Sequence, residues 1–187
     1  MVLKLNLLAA AVLALPCGSA FAIDAQTSDV RVFYVDESLD DGVDDIDGDG
    51  FGLGANVVLP GGLLIPIEYS RTEYDSDVEL ENLRVGLGYS FAVGPVSAVS
   101  LGARYHDYTL EGPGGELTLD GYGVFLAGKA MVSPSASLYG EINYQFLEED
   151  TASEDVDGFE FAVGASYDLG GPGVFAEYRL SKLEDDF

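Results

Sequence analysis

The feature that most constrains the fold is a two-residue alternation in the segment Asn82–Ala92, which reads N-L-R-V-G-L-G-Y-S-F-A. From Asn82 to Phe91 the odd-numbered positions are apolar or aromatic, and the even-numbered positions are polar or glycine. Because successive side chains of a β-strand point to opposite faces, the pattern predicts a strand with one apolar and one polar face. Such a strand fits a soluble sheet, whose apolar face covers a core, and also a membrane barrel, whose apolar face contacts lipid.

The first 22 residues have the three parts of a secretory signal peptide. Lys4 supplies a positive charge, Leu7–Leu15 is an unbroken apolar run, and Ala20-Phe21-Ala22 is a small-x-small cleavage site. The apolar run is shorter than the roughly twenty residues that a membrane-spanning helix needs. We therefore expect residues 1–22 to be cleaved and residues 23–187 to form one outer-membrane domain.

Composition limits the partners of the chain. Its 8 basic and 33 acidic residues give a formal net charge of −25, which argues against nucleic acid and bare anionic lipid as partners. The one cysteine, Cys17, lies in the predicted signal peptide, so the mature chain forms no internal disulfide. A lipoprotein cleavage just before Cys17 is the alternative, but Pro16 stands where such a site needs a small residue.

Nine strand-like segments follow the predicted cleavage site, separated alternately by acidic connections and by short turns. Most have the roughly 9 to 11 residues of a tilted membrane strand, and aromatic residues fall near both ends of their apolar faces, as in the girdles of membrane barrels. The predicted strands are Asp29–Val35, Phe51–Leu59, Leu63–Tyr74, Asn82–Ala92, Ala98–Thr109, Tyr122–Val132, Ser137–Leu147, Phe159–Leu169 and Val174–Ser181.

An even number of strands would return both ends of the chain to the same side of the membrane. We expect nine strands with a tenth missing, rather than eight strands with Asp29–Val35 left out of the barrel. The connection Asp36–Gly50 contains eight acidic residues and no basic one, and we predict that it is a loop. Because membrane barrels have short periplasmic turns and longer external loops, the acidic connections are predicted to face outward.

The polar faces of these segments contain five of the seven basic residues of the mature chain. The lumen of a barrel of about eight strands is filled by side chains, so charges there must be paired. A soluble sandwich has no reason to concentrate its cations on one face, and the pattern therefore favours a barrel with a charge-filled lumen. The predicted lumen residues are the cations Arg31, Arg84, Arg104, Lys129 and Arg179 and the anions Glu68, Glu141, Glu160, Asp168 and Glu177.

Three motifs resemble those of small outer-membrane β-barrel proteins of Gram-negative bacteria. They are G-L-G-Y-S-F at Gly86–Phe91, D-I-D-G-D-G-F-G at Asp45–Gly52 and D-G-Y-G-V at Asp120–Val124. With the signal peptide, they are similar to the OmpA-like and opacity-protein-like group, and more narrowly to a family of Asp-Gly-rich small barrels described as quorum-sensing or plant-immunity factors. The resemblance implies an all-β transmembrane up-and-down antiparallel barrel of eight to ten strands. In the narrower family it implies ten strands and an aromatic final residue at the periplasmic end.

The sequence from Asp45 to Gly50 also matches the first half of a calcium loop, D-x-D-x-D-G. Asp45, Asp47 and Asp49 are the candidate ligands of a weakly bound divalent cation. The position of the bidentate glutamate of an EF-hand is occupied by Asn56, so an EF-hand is not expected, and a solvated acidic loop is the alternative. We expect no cofactor other than weakly bound calcium or magnesium, which could bridge to lipopolysaccharide phosphates.

Catalytic motifs such as G-x-S-x-G, H-E-x-x-H or a phosphate-binding glycine loop do not occur in the sequence. Ser100, Arg104 and His106 share one strand face, as polar residues of barrel-wall enzymes do, but hydrogen bonding in the lumen or at the rim is the favoured interpretation. We predict a non-enzymatic outer-membrane barrel with a structural or surface-interaction role. A narrow cation channel or porin-like pore is the alternative, and a barrel-wall enzyme is less favoured. The expected partners are outer-membrane lipid, lipopolysaccharide, periplasmic chaperones and the barrel-insertion machinery.

Overall fold

The computed structural model describes residues 2–16, 28–40, 45–74, 77–149, 155–169 and 173–185. Within these ranges the chain forms ten strands that close into one antiparallel up-and-down barrel, which confirms the predicted fold class. The strands are β1 Val2–Pro16, β2 Asp29–Asp40, β3 Asp45–Val58, β4 Leu63–Tyr74, β5 Val78–Ala92, β6 Ser97–Gly112, β7 Gly115–Ser133, β8 Ala136–Glu149, β9 Asp155–Asp168 and β10 Gly173–Asp185. The described residues contain no helix long and apolar enough to span a membrane.

The two-residue alternation gives the barrel an apolar outer surface. On β5 the outward side chains run from Leu83 to Phe91 through Val85, Leu87 and Tyr89, and all five are exposed. Eight residues of strand extend about 27 Å, so after tilting they match the apolar band of about 25 Å that a bilayer requires.

Aromatic side chains stand at both edges of this apolar band. At one edge the rings of Tyr105 and Tyr122 pack with their centroids 5.5 Å apart, and those of Tyr144 and Phe159 are 4.6 Å apart. At the other edge Tyr89 and Phe91 are 4.5 Å apart. These outward aromatics have the arrangement of membrane girdles.

The two ends of the barrel differ chemically. The short-turn end holds the connections after β3, β5, β7 and β9, and the acidic end holds those after β2, β4, β6 and β8. At the short-turn end Gly61 and Gly62 have φ values of 93° and 91°, which side chains rarely adopt. The Ser90 amide donates to the Gly62 carbonyl at 2.7 Å, and this close approach anchors the turn to β5.

Two of the connections at the acidic end are strands over most of their length. β2 and β3 stay paired from Asp36↔Asp49 to Asp40↔Asp45, so the prediction of a loop over Asp36–Gly50 is wrong. β6 and β7 likewise stay paired as far as Gly112↔Gly115, leaving a two-residue turn. The wall of the barrel therefore continues beyond the apolar band at this end, where the inward positions of β3, β6 and β7 are apolar or glycine although the composition is acidic.

The structure excludes the eight-stranded alternative and does not test whether the signal peptide is cleaved. Arg31 to Val35 of β2 pairs with Gly54 to Gly50 of β3, which excludes the eight-stranded version. The nine predicted strands correspond to β2–β10, and β1 lies between β2 and β10 and pairs with both. β1 is part of the segment predicted to be a signal peptide, and its cleavage stays a prediction.

Candidate functional site

The inward side chains form three successive layers along the barrel axis. An apolar layer lies at the acidic end, a layer of paired charges lies at mid-height, and a cavity lies toward the short-turn end. The sequence of layers can be read along one strand. On β6, Tyr108, His106, Arg104 and Ser100 follow one another from the acidic end to the short-turn end.

The centre of the charged layer is an ion pair between Arg84 on β5 and Glu160 on β9. Arg84 Nη1 and Nη2 donate to the two carboxylate oxygens of Glu160, both at 2.8 Å. Arg84 Nη2 also donates to the Tyr108 hydroxyl at 3.0 Å, and Nε donates to Asn82 Oδ1 at 3.2 Å. Because β5 and β9 are separated by three strands on one side and five on the other, this pair crosses the lumen.

A second group of charges adjoins this pair. Arg179 on β10 donates to Glu68 on β4 at 2.7 Å, and its other terminal nitrogen lies 2.7 Å from Glu177. Arg84 Nη1 lies 3.8 Å from Glu68, and Arg31 Nη2 donates to Glu68 at 3.4 Å. Charges from β2, β4, β5, β9 and β10 thus form one network, in which each buried ion has partners that offset its desolvation.

Neutral polar side chains complete the layer on the opposite wall. His106 on β6 is fully buried with its Nε2 3.2 Å from Asn143 Nδ2. The Tyr108 hydroxyl donates to Gln145 Oε1 at 3.0 Å. The prediction of the lumen set, which considered charges alone, missed Tyr108, Asn143 and Gln145, although all three stand at inward positions of the alternation.

The apolar layer packs above the charges at the acidic end. Tyr108, Leu147 and Val156 are buried together, with Leu80 and Leu119 packed against them. Tyr74 packs with Ile46, Val78 and Leu80 beside this cluster. The sequence did not indicate this layer because most of its residues fall in connections that were assigned to loops.

The cavity toward the short-turn end has a volume of about 190 Å³. Its wall includes the pair Arg104–Glu141, in which both terminal guanidinium nitrogens bond the carboxylate, one of them at 2.7 Å. The guanidinium also lies 4.3 Å from the ring centroid of Phe125. Lys129 lines the same cavity, so the cations of this layer lie beside open space rather than within packed side chains.

Nine of the ten predicted lumen residues lie in the charged network or on the cavity wall. The exception is Asp168, which is exposed where β9 ends and whose amide donates to the Ser135 carbonyl at 2.7 Å. Asp168 has the inward parity of β9 but stands at its exposed end, so its part in the lumen charge network stays a prediction. Asp29 was not predicted, but it lies 3.5 Å from Arg31 Nε inside the barrel. In the charged network and on the cavity wall the count remains five cations and five anions.

The predicted calcium-loop residues lie in an extended strand. β3 begins at Asp45, and Asp47 and Asp49 are exposed on its outward face, where alternate residues are about 7 Å apart. The described residues contain no group of three acidic, histidine or cysteine side chains that could hold a metal ion. The chain therefore does not wrap around an ion here as a calcium loop does, and weak cation binding stays a prediction.

The glycines of the same motif have a role that the sequence did not reveal. Gly48 and Gly50 alternate with the aspartates, Gly52 and Gly54 continue the same parity, and all four face the lumen. A Cβ at Gly52 would overlap the ring of Phe33, and one at Gly48 would lie 2.5 Å from the ring of Tyr74. The Asp-Gly repeat therefore leaves room in the lumen for these two aromatic side chains.

The outward face of the acidic end carries a continuous row of carboxylates. Directly paired residues on β2 to β7 form it: Asp36, Asp49, Glu73, Glu79, Glu111 and Glu116. Like charges placed opposite each other in this way repel. Arg71 offsets part of the repulsion with a 2.6 Å bond to Glu79.

A closed up-and-down barrel with an apolar band of bilayer height, aromatic edges and a charged interior defines an integral outer-membrane β-barrel protein. Residues 20–186 match the family model described as Gram-negative porin. The chain belongs to this family and lies in the outer membrane of a Gram-negative bacterium.

Solved structures of outer-membrane proteins are similar to the chain at low identity. Neisserial surface protein A (NspA) is 14% identical, with 99% of this chain and 97% of that chain covered and a TM-score of 0.41. A loop L8 deletion mutant of OmpT, an outer membrane protein of Vibrio cholerae, is 14% identical over 84% of this chain and 63% of its own, with a TM-score of 0.35. Outer-membrane expressed OmpT of the same organism is 12% identical over 83% and 64%, with a TM-score of 0.36. No match was found among curated proteins.

Proposed function

We propose that this protein is a closed, non-enzymatic outer-membrane barrel with a structural or surface-interaction role, and that its lumen does not conduct. The observation that carries the proposal is the Arg84–Glu160 pair, whose two 2.8 Å bonds join distant walls of the barrel. A pair that crosses the lumen occupies the path that a solute would need. The balance of five cations and five anions in the charged network and on the cavity wall also provides no excess of carboxylates there to select cations.

The apolar layer supports the same proposal. An ion that passed the charged layer would next meet Leu147 and Val156, which are 3% and 8% exposed. Hydrophobic constrictions exclude ions because they offer nothing to replace the hydration shell. The two layers together block the lumen over its acidic half.

A narrow cation channel or porin-like pore is the second candidate, and the Gram-negative porin family favours it. The cavity of about 190 Å³ would supply the part of such a pore nearest the short-turn end. The remaining part would require the charged network to rearrange and open a path through the apolar layer.

The surroundings of His106 support the non-enzymatic part of the proposal. Its ring nitrogens approach Asn143 and the Tyr108 hydroxyl, at 3.2 Å and 3.5 Å, and neither neighbour is a serine or cysteine that the imidazole could activate as a nucleophile. Ser100 lines the cavity, while His106 is fully buried in the charged layer. Ser100 and His106 are therefore not placed as a nucleophile and its base.

We assign the acidic end to the cell surface, because its hairpins extend beyond the apolar band, as the longer external segments of such barrels do. There the carboxylate row beside the apolar band would attract calcium or magnesium, and these cations would bridge to phosphates of lipopolysaccharide. Outer-membrane lipid contacts the apolar band, and periplasmic chaperones and the barrel-insertion machinery deliver the chain. The net charge of −25 opposes binding to nucleic acid.

Swelling of proteoliposomes in solutes of increasing size tests the proposal. We expect vesicles with the wild-type protein to swell no faster than protein-free vesicles in glycine, arabinose or sucrose. Folding of the reconstituted protein is checked by its change in gel mobility on heating. Swelling that increases with the amount of folded protein and falls with solute size would contradict the closed barrel and favour the pore.

A further inference from the structure

The cavity toward the short-turn end has the size of a site for a small solute. Its volume of about 190 Å³ is below the roughly 300 to 1,000 Å³ of pockets for drug-sized ligands, and it corresponds to about six waters at about 30 Å³ each. All residues described as lining it lie on β2 to β10, so cleavage of residues 1–22 would leave each of them in the chain. The inference below goes beyond the proposed function and applies whether or not the lumen conducts.

Three polar side chains stand together on one wall of this cavity. Asp29 and Arg31 lie at the start of β2, and Asn56 of β3 pairs directly with Asp29. The Ser28 hydroxyl accepts a bond from the Val58 amide at 2.9 Å, which fixes the open end of the β2–β3 hairpin. The Asp29 and Arg31 side chains are 24% and 16% exposed, so water reaches them. A solute that enters from the short-turn end therefore meets these groups first.

The contacts among these polar groups are long. Asn56 Nδ2 lies 3.4 Å and 3.3 Å from the two carboxylate oxygens of Asp29. Arg31 Nε lies 3.5 Å from Asp29, and Arg31 Nη2 lies 3.4 Å from Glu68, whereas the bonds of Arg84 to its carboxylate are 2.8 Å long. Arg31 Nε is buried and has no hydrogen-bond partner in the part of the chain that the structure describes. This wall therefore has hydrogen-bonding capacity that the protein itself does not use.

Neighbouring hydroxyl groups of one solute match this wall. The carboxylate of Asp29 accepts hydrogen bonds, the guanidinium of Arg31 donates them, and the amide of Asn56 does both. A hydroxyl group also donates and accepts, so it can serve each of the three. Carboxylates beside the site oppose an anion and the guanidinium opposes a cation, and the five cations and five anions of the network and the cavity wall supply no net charge. The chemistry therefore favours a neutral, polyhydroxyl solute.

Much of the remaining wall suits the carbon skeleton of such a solute. Small and apolar inward side chains line it: Leu64, Ala98, Phe125, Ala127 and Ala162. Arg104 and Glu141 lie on the same wall and are bonded to each other. Ligand pockets typically combine an apolar lining with a few polar groups that fix orientation. The C–H groups of a sugar can pack against the apolar side chains while its hydroxyls reach β2 and β3.

We propose that this cavity binds a small neutral polyhydroxyl compound, a polyol or monosaccharide of up to about six carbons, through Asp29, Arg31 and Asn56. The charged network lies between the site and the acidic end, so binding does not require the lumen to open. The site is thus a receptor for a solute at the short-turn end and is distinct from a transport path.

NMR titration of the labelled wild-type protein with arabinose tests the proposal. The protein is held in phosphocholine micelles, because detergents with sugar head groups would compete for the site. We expect saturable shifts of the Arg31 and Asn56 amides, including the side-chain amide of Asn56, with a dissociation constant of about 1 to 10 mM. Glycine and sodium phosphate, tested as a zwitterion and an anion, should give no saturable shifts at the same concentrations.

Two variants and a matched control locate the site. Asn56→Leu removes the amide at similar volume and should weaken binding by about 3- to 10-fold. Ala127→Leu fills the cavity without removing a polar group and should abolish binding. The control Ala103→Leu makes the same change on the outward face of β6, where the residue is exposed, and should bind arabinose as the wild type does. The change in gel mobility on heating shows that each variant is folded.

Three results would overturn the proposal. One is the absence of saturable shifts at Arg31 and Asn56 up to about 100 mM arabinose. Another is tighter binding of glycine or phosphate than of arabinose. The third is equal affinity for arabinose in the wild type and in folded Ala127→Leu. If Ala127→Leu does not fold, the shifts mapped on the wild-type protein decide alone.

Discussion

Two bidentate arginine–glutamate pairs lie on the lumen face of the same barrel in different surroundings. Arg84–Glu160 lies under the apolar layer, with side chains 3% and 1% exposed. Arg104–Glu141 lies on the wall of the cavity, with side chains 11% and 15% exposed. The chemistry of the two pairs is the same, and they differ in access to water and in whether they cross the lumen.

This difference shows that the same arginine–glutamate pair contributes differently to stability in the packed and in the open part of the lumen. A fully buried pair is costly to break, because removal of one partner leaves the other charge without water. A pair beside a cavity is less costly to break, because solvent can reach the remaining charge. The half of the lumen at the acidic end is therefore expected to be rigid, and the half at the short-turn end tolerant of substitution.

The largest effect is expected for Arg84→Ala. The carboxylate of Glu160 would keep its bond from Ser181 at 3.0 Å but lose both bonds from the guanidinium, at a cost of about 3 to 5 kcal/mol. Urea unfolding in lipid vesicles, followed by gel mobility, measures the loss. The double variant Arg84→Met with Glu160→Leu removes both charges and should be much closer to the wild type. A loss below about 1 kcal/mol for Arg84→Ala would show that the pair is not buried as described.

The next effect is expected for Leu147→Ala in the apolar layer. Leu147 is 3% exposed, and truncation of such a residue costs about 2 to 4 kcal/mol. The control is Leu126→Ala on the outward face of β7, where the side chain is 53% exposed and lipid can fill the space. Equal losses in the two variants, measured by the same unfolding assay, would contradict a packed layer at the acidic end.

A smaller effect is expected for Arg104→Ala on the cavity wall. The two bonds to Glu141 are lost, but water from the cavity can hydrate the carboxylate, so we expect a loss of about 1 to 3 kcal/mol. Arg71→Ala, which removes an exposed pair with Glu79, should cost about 1 kcal/mol or less. Equal losses of stability in Arg104→Ala and Arg84→Ala would contradict the expected difference between the two halves of the lumen.

The smallest effect is expected from divalent cations at the acidic end. Calcium at about 1 mM, the weak end of protein calcium sites, should shift the amide resonances of Asp47 to Gly50 by reducing repulsion between Asp49 and its neighbours Asp36 and Glu73. Asp49→Asn is the control and should weaken the response. Unchanged resonances up to tens of millimolar calcium would retire the proposal of cation binding.

The sequence predicted which charged residues point into the lumen, because side chains of a strand alternate between its two faces. Once one residue is known to point inward, every second residue of the same strand must do so as well. It did not predict which charges meet. Arg84 and Glu160 are 76 positions apart, and their contact depends on strand tilt and on the register of every hairpin between them. Asp168 has the right parity but lies at the end of β9, where parity no longer implies burial.

The acidic connections were misassigned for a related reason. Their composition is typical of loops, yet in β6 and β7 Leu110 and Leu119 keep the inward positions apolar beyond the membrane band. In β3 the inward positions are glycines, which carry no hydropathy signal and make room for Phe33 and Tyr74. Alternation was therefore the better guide to strand length in this chain, and composition the poorer one.

The central claim, that the lumen is closed at mid-height by the Arg84–Glu160 network, is tested most directly by planar-bilayer recording of the folded wild-type protein. We predict no steady conductance above that of the bare bilayer at either polarity. A steady, cation-selective conductance that disappears when Glu160 or Glu68 is replaced by alanine would contradict the claim and establish the channel.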